Sequence, residues 1–242
     1  MMYLKRSLCS LAFAAAALLS ATSATAQERK NDWNYIGAEG LVSSDTIKRG
    51  DYTLIFINKK EGFPEALKTR MIETFFTVYP KQASTYNPNT RKQVIFLIDP
   101  AYDGVAATAG SIIRYNPAWF DKHPGDIDVV THEAMHIIQG YRRGGPGWVT
   151  EGIADYVRHT MGVDNAGAGW NLTPFSPSQN YDNAYRITAR FFVWIEKNYK
   201  KDLVVKLDDV MRRGQYNEGL WKEWTGKDLS ELWKSYAANP VI

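Results

Sequence analysis

Cysteine is nearly absent: the chain has one in 242 residues, Cys9, inside the N-terminal leader described below. Past that point no disulfide, cysteine-ligated metal or thiol nucleophile is possible, so stability must come from core burial and any bound metal. Net charge is also small. The 29 Lys and Arg almost balance 26 Asp and Glu, giving +3, and no basic cluster is interleaved with aromatics, so no nucleic-acid partner is expected. Beyond residue 26 no apolar run is long enough for a membrane anchor.

What the first 26 residues do contain is an export pattern. Lys5 and Arg6 form a positive start, Leu8 to Leu19 an apolar stretch too short to span a bilayer, and Ala24-Thr25-Ala26 a small-residue cleavage site. Cleavage of 26 of the 242 residues leaves 216, enough for one domain with a substantial core, and removes two basic residues, so net charge falls from +3 to +1. The expectation is a secreted or periplasmic monomer. Its parts are a signal peptide over 1–26, an N-terminal arm over 27–50 and a single domain over 51–242.

Apolar periodicity then sketches the domain. Tyr52 to Asn58 reads as a buried strand and Gly62-Phe63-Pro64 opens a helix whose Leu67, Met71, Phe75 and Tyr79 recur every fourth residue. Val94 to Ile98 is a second strand, and Val105 to Tyr115 a third, rich in small residues and closed by Asn116-Pro117. Helices follow. Asp182 is the expected cap of one running to about Tyr199. Asp228, with Glu231 three residues on, marks a capping box. Strands first and helices after indicate an α+β domain. Most of the eight tryptophans fall in amphipathic helical patterns and read as core; Trp170, in a polar loop, is the one expected to be exposed near a substrate.

Histidine is scarce too, four in all, yet two of them stand in His132-Glu133-Ala134-Met135-His136. Histidines four apart on a helix point the same way and can both donate a ring nitrogen to one zinc ion, while the glutamate after the first His leans to the metal's open side as a general base. With a helix over 127–141, Val130, Ala134, Ile137, Ile138 and Tyr141 form one stripe, and His132, Glu133 and His136 lie roughly opposite, toward a cleft.

Zinc needs a third protein ligand. The usual choices after such a motif are a distant Glu or a His six residues past the second His, and the latter position is Arg142, which cannot ligate. Gly144-Gly145-Pro146-Gly147 breaks the helix, and a new one can start with Thr150 as N-cap. It carries Glu151 as ligand and Asp155 one turn on, placed to hold a histidine's other ring nitrogen. His159 is about 12 Å of helix rise from Glu151, too far to share the metal, and His123 reads as a solvated loop residue.

These stretches resemble the basic secretory protein family. The resemblance runs through Gly125-Asp126-Ile127, Val130 to His136, Gly147-Trp148, Glu151 to Arg158, Tyr185-Arg186, Ala189-Arg190-Phe191, Trp194, Thr225 to Leu229 and Leu232-Trp233, roughly Asp51 to Tyr236. It implies a zincin-like metallopeptidase domain: an N-terminal mixed β-sheet with helices, the metal-site helices, then a helical C-terminal part. It also implies His132, His136 and Glu151 as zinc ligands and Glu133 as base, hydrolysing a peptide or protein substrate with a metal-activated water. The chain's near-neutral charge departs from the family's name. Tyr185, at the start of the helix after the flexible loop, is the expected donor to the tetrahedral intermediate's negative oxygen; its alternative is a partly buried core aromatic. The small-residue strand is expected at the sheet edge beside the cleft. The rival function is a secreted binding or defence protein with a purely structural zinc.

Overall fold

The computed structural model describes residues 33, 36–141 and 145–242. The expected signal peptide over 1–26, most of the expected arm before residue 36, and Arg142 lie outside the described residues. Five strands form one sheet in the order β1-β2-β3-β5-β4: β1 Ser43–Arg49, β2 Tyr52–Asn58, β3 Gln93–Ile98, β4 Ala106–Ala109 and β5 Ile112–Tyr115. β1 pairs antiparallel with β2, and β2, β3 and β5 run parallel. β4 turns back antiparallel along β5 at the outer edge.

The parallel β2–β3 pair needs a crossover, and α1, Glu65–Tyr86, supplies it. The helix presents Leu67, Met71, Phe75 and Tyr79 as its buried stripe, against Leu54, Phe56, Val94 and Phe96 of the sheet. β1 falls within residues 27–50, and by contact density a compact unit runs from Gly40 to Ile242.

The stretch Val105 to Tyr115 is not one strand. Gly110 adopts φ 62°, a left-handed turn conformation a side chain disfavours, and folds the segment into the β4–β5 hairpin. Of this stretch only β4 lies at a sheet edge; β5 lies inside the sheet between β3 and β4.

After the sheet come α2 Pro117–Lys122, α3 Val129–Gln139, α4 Gly147–Met161, α5 Tyr185–Asn198, α6 Leu203–Arg212, α7 Gly219–Thr225 and α8 Leu229–Ala238. Asp228 and Glu231 form the expected capping box on α8. Two other expected caps are displaced. α4 starts at Gly147 after Pro146, so Thr150 is inside the helix, and its carbonyl accepts a bond from Gln139. α5 starts at Tyr185, not after Asp182. Trp221 and Trp194 are core residues.

α3 packs against α1, α4 and β4 and is buried along nearly its whole length. Buried carbonyls need partners, and α1 and the loop behind it provide them. Gln82 Nε2 donates to the Thr131 carbonyl, Asn87 Nδ2 to that of Ile138, and Thr90 Oγ1 to that of Ile137. At the other end the fully buried Asp128 accepts from Thr131 Oγ1 and from the backbone N–H groups of Val163 and Asp164, tying the start of α3 to the end of α4.

α4 and α5 approach closely at Gly152. A Cβ there would lie 2.3 Å from Thr188 Cγ2 and 3.0 Å from a Phe192 ring carbon. Gly152→Ala is expected to destabilise by about 1–3 kcal/mol through overpacking, despite the better helix propensity of alanine. Denaturant unfolding checks this; a more stable variant would mean that the two helices separate without cost.

Candidate active site

The helical spacing of α3 turns His132 and His136 toward one point, and α4 adds Glu151. His132 Nε2 and His136 Nε2 are 3.2 Å apart, and Glu151 Oε2 is 3.3 Å from the first and 3.5 Å from the second. Among the described residues these three form the group able to hold a metal ion. Donors at about 2.0–2.1 Å in a tetrahedron are separated by about 3.3 Å, so the triangle has the size a zinc ion requires.

The far ring nitrogens are occupied as ligation demands. His132 Nδ1 meets Asp155 Oδ1 at 2.7 Å and His136 Nδ1 meets Gln139 Oε1 at 2.7 Å. With Nδ1–H donated in both rings, two Nε2 lone pairs and a carboxylate oxygen converge, a cluster that calls for a cation. The surrounding carboxylates also favour positive charge at His132 itself. Burial alone would discharge the ring, but hydrogen bonds to Asp155 and Glu151 and the nearby carboxylates outweigh it and push its pKa up to about 10. For Glu151, burial opposes ionisation and the two histidines override it, holding the carboxyl well below its usual range.

Glu133 is buried next to the triangle. Its Oε2 accepts a hydrogen bond from Thr108 Oγ1 at 2.7 Å, and the same hydroxyl lies 3.0 Å from the Glu133 carbonyl oxygen. The edge strand β4 thus holds the carboxylate.

All four residues, with Tyr185, line one cleft of about 1060 Å³ that Ala106 and Ala107 of β4 also line. The Tyr185 ring lies 6.1 Å from that of His132 with the planes 18° apart, and the residue is 53% exposed. Ala184 and Tyr185 have φ of 64° and 49°. Two successive non-glycine residues with positive φ are strained, and they form the turn that leads into α5 at Tyr185. Partial burial and the carboxylates of Glu151, Asp155 and Glu133 raise the phenol's pKa above its usual value.

Several cleft residues carry no local signal in the sequence. Thr108 and Glu133 meet only through the tertiary fold. Gln139 was within reach, since it stands three residues after His136 on the same helix. His123 is not merely solvated: it lines the cleft and stacks on Trp119 at 3.9 Å. Trp170 lines the cleft as well but is half-buried, under the Arg158 guanidinium. His159 is not among the cleft residues.

A mixed sheet followed by helices, with α3 and α4 presenting two histidines and a glutamate, is the zincin-like metallopeptidase fold. In sequence the chain matches the model of a family described as peptidase of plants and bacteria over residues 50–236. It belongs to that family, the basic secretory protein family.

Among solved structures, a two-domain M1 zinc metallopeptidase variant bound to L-tryptophan is similar at 13% identity and a TM-score of 0.51, over 83% of this chain and 52% of that one. So are the M1 zinc metallopeptidase from Deinococcus radiodurans (12%, 0.48, 82% and 51%) and an aminopeptidase N family protein from Idiomarina loihiensis (9%, 0.49, 81% and 46%). Such identities speak to fold alone, and the chain spans about half the length of these structures. No curated protein matches it.

Proposed function

We propose that this peptidase is a secreted, zinc-dependent enzyme that hydrolyses peptide bonds, with His132, His136 and Glu151 as metal ligands and Glu133 as general base. The observation that carries the reading is the triangle of two ring nitrogens and one carboxylate oxygen with edges of 3.2, 3.3 and 3.5 Å, beside a buried glutamate. Zinc bound there would supply a Lewis acid and lower the pKa of water to about 7.

The chain's own groups then have distinct tasks. Glu133, with Oε2 fixed by Thr108, takes the proton of the attacking water on its other oxygen and returns it to the leaving amine. Asp155 and Gln139 hold the two imidazoles in the tautomer that leaves Nε2 free to ligate. Tyr185 lines the same cleft with its ring beside that of His132, where its phenol O–H can donate to the oxygen that becomes negative as water adds. The outer edge of β4 offers backbone N–H and C=O groups for an extended substrate.

A binding protein with a structural zinc has no use for a buried base beside an open cleft. The experiment that separates the two readings is cleavage of a denatured protein with and without a chelator. Chelator-sensitive cleavage, restored by zinc, is the expected result; absence of cleavage by zinc-loaded protein would leave the binding reading standing. The export leader supports secretion, and no helix of the described residues is long and apolar enough to cross a membrane.

For Tyr185→Phe, turnover is expected to fall about 10²-fold, while zinc content and melting temperature stay nearly unchanged. A variant that melts early but turns over normally while folded would make the tyrosine structural.

A further inference from the structure

We propose that the end of the cleft formed by Trp119, His123 and Trp170 is a specificity subsite for an aromatic side chain of the substrate, within about two residues of the scissile bond. The proposal rests on the peptidase reading above and concerns which peptides that site accepts.

Two tryptophans and a histidine line the same cleft as the metal triangle, and one buried ion pair links both indoles. Asp126 Oδ2 accepts from Trp119 Nε1 at 2.9 Å, and Asp126 Oδ1 accepts from Arg158 Nη2 at 2.5 Å. The Arg158 guanidinium in turn lies 4.6 Å from the Trp170 ring centre. Arg158 also donates from Nε to Asn165 Oδ1, while Asn165 Nδ2 donates back to the Arg158 carbonyl, anchoring the loop that carries Trp170. The His123 ring stacks on Trp119 with the planes 29° apart.

This arrangement fixes the rings and cancels the charge. Asp126 and Arg158 are at most 9% exposed and satisfy each other, so neither presents a free charge to a substrate. A basic or acidic side chain entering here would lose its hydration without gaining a partner. A flat apolar ring instead finds aromatic surfaces held in place before it arrives, with little ordering left to do.

Position follows from the helices. Val129 lines the cleft four residues before Glu133 on α3, about 6 Å of helix rise. Arg158 follows Asp155 by three residues on α4, about 4.5 Å. An extended peptide advances about 3.3 Å per residue, so an occupant of this end belongs to a residue adjacent to the cleaved bond or one further along.

The test uses four series of blocked peptides, each varied at one of the two positions on either side of the scissile bond, with Phe, Trp, Ala, Lys or Asp there; the preference described next is expected in one series. Zinc-loaded wild type should cleave the aromatic peptides with kcat/KM about tenfold or more above the Ala peptide, and the Lys and Asp peptides no better than Ala. Trp170→Ala and Trp119→Ala should each reduce the aromatic-to-Ala ratio to about threefold or less. His123→Ala, at an exposed position, reports on the same ratio if removing Trp119 unsettles the fold.

Binding is measured separately, by calorimetric titration of the same peptides into Glu133→Gln and into the double variants that also carry a tryptophan change. Aromatic peptides should bind more tightly than Ala, and the advantage should vanish with the tryptophans. Equal binding of Phe and Ala peptides in all four series, or a preference that survives every ring removal, overturns the subsite. Selective binding without cleavage by wild type would instead overturn the peptidase reading and leave the subsite in place.

Discussion

Glu133→Gln is expected to fold, to bind about one zinc per chain, and to lose peptide hydrolysis by about 10²- to 10⁴-fold or more. Glutamine keeps the shape of the side chain and one oxygen to accept the Thr108 hydroxyl, which now lies 2.7 Å from Oε2. The local packing therefore has no reason to change. What disappears is the capacity to take a proton, because an amide is not a base at neutral pH. Metal analysis and turnover on the same preparation decide the matter. Loss of zinc with activity would place Glu133 among the ligands; retained activity would require the proton to go elsewhere in the cleft.

That single position also shows what was legible in the sequence. The pattern of His132, Glu133 and His136 is local: helical periodicity converts a spacing of four into a shared direction, so the site could be read without knowing the fold. Glu151 and Asp155 were readable for the same reason, as two acids one turn apart. The turn in between is not legible in the same way. Thr150 has the chemistry of an N-cap, but α4 begins at Gly147 after Pro146, and the threonine's carbonyl instead takes a bond from Gln139. The third strand failed through its small residues. Nothing in Ala106 to Ser111 contrasts Gly110 with its neighbours strongly enough to separate a turn from a weak strand, yet its positive φ makes the hairpin. Long-range pairings were out of reach altogether. The Thr108 contact to Glu133 depends on β4 lying beside α3, and the Asp126–Arg158 pair on the end of α4 lying beside the start of α3. The β2 strand and the buried stripe of α1, by contrast, follow from runs and repeats within one segment.

The ligand assignment makes an ordered prediction for metal affinity. Glu151→Ala removes one vertex of the triangle and leaves two ring nitrogens 3.2 Å apart without a third donor. Zinc affinity should collapse, since a catalytic site is built on three protein ligands. Asp155→Ala leaves all three ligands and removes only the 2.7 Å bond that fixes the His132 ring. Its expected cost is about 10- to 100-fold in affinity. Gln139→Ala should fall in the same range, because it deprives His136 of the equivalent bond at 2.7 Å. Dialysis against a graded series of weak chelators, followed by metal analysis, reads all three variants on one scale. Circular dichroism of the metal-free forms confirms that each is folded before the comparison is made. The decisive outcome is the order. If Glu151→Ala holds zinc as well as wild type, the carboxylate belongs to the second rank and Asp155, already against His132, becomes the ligand to test next.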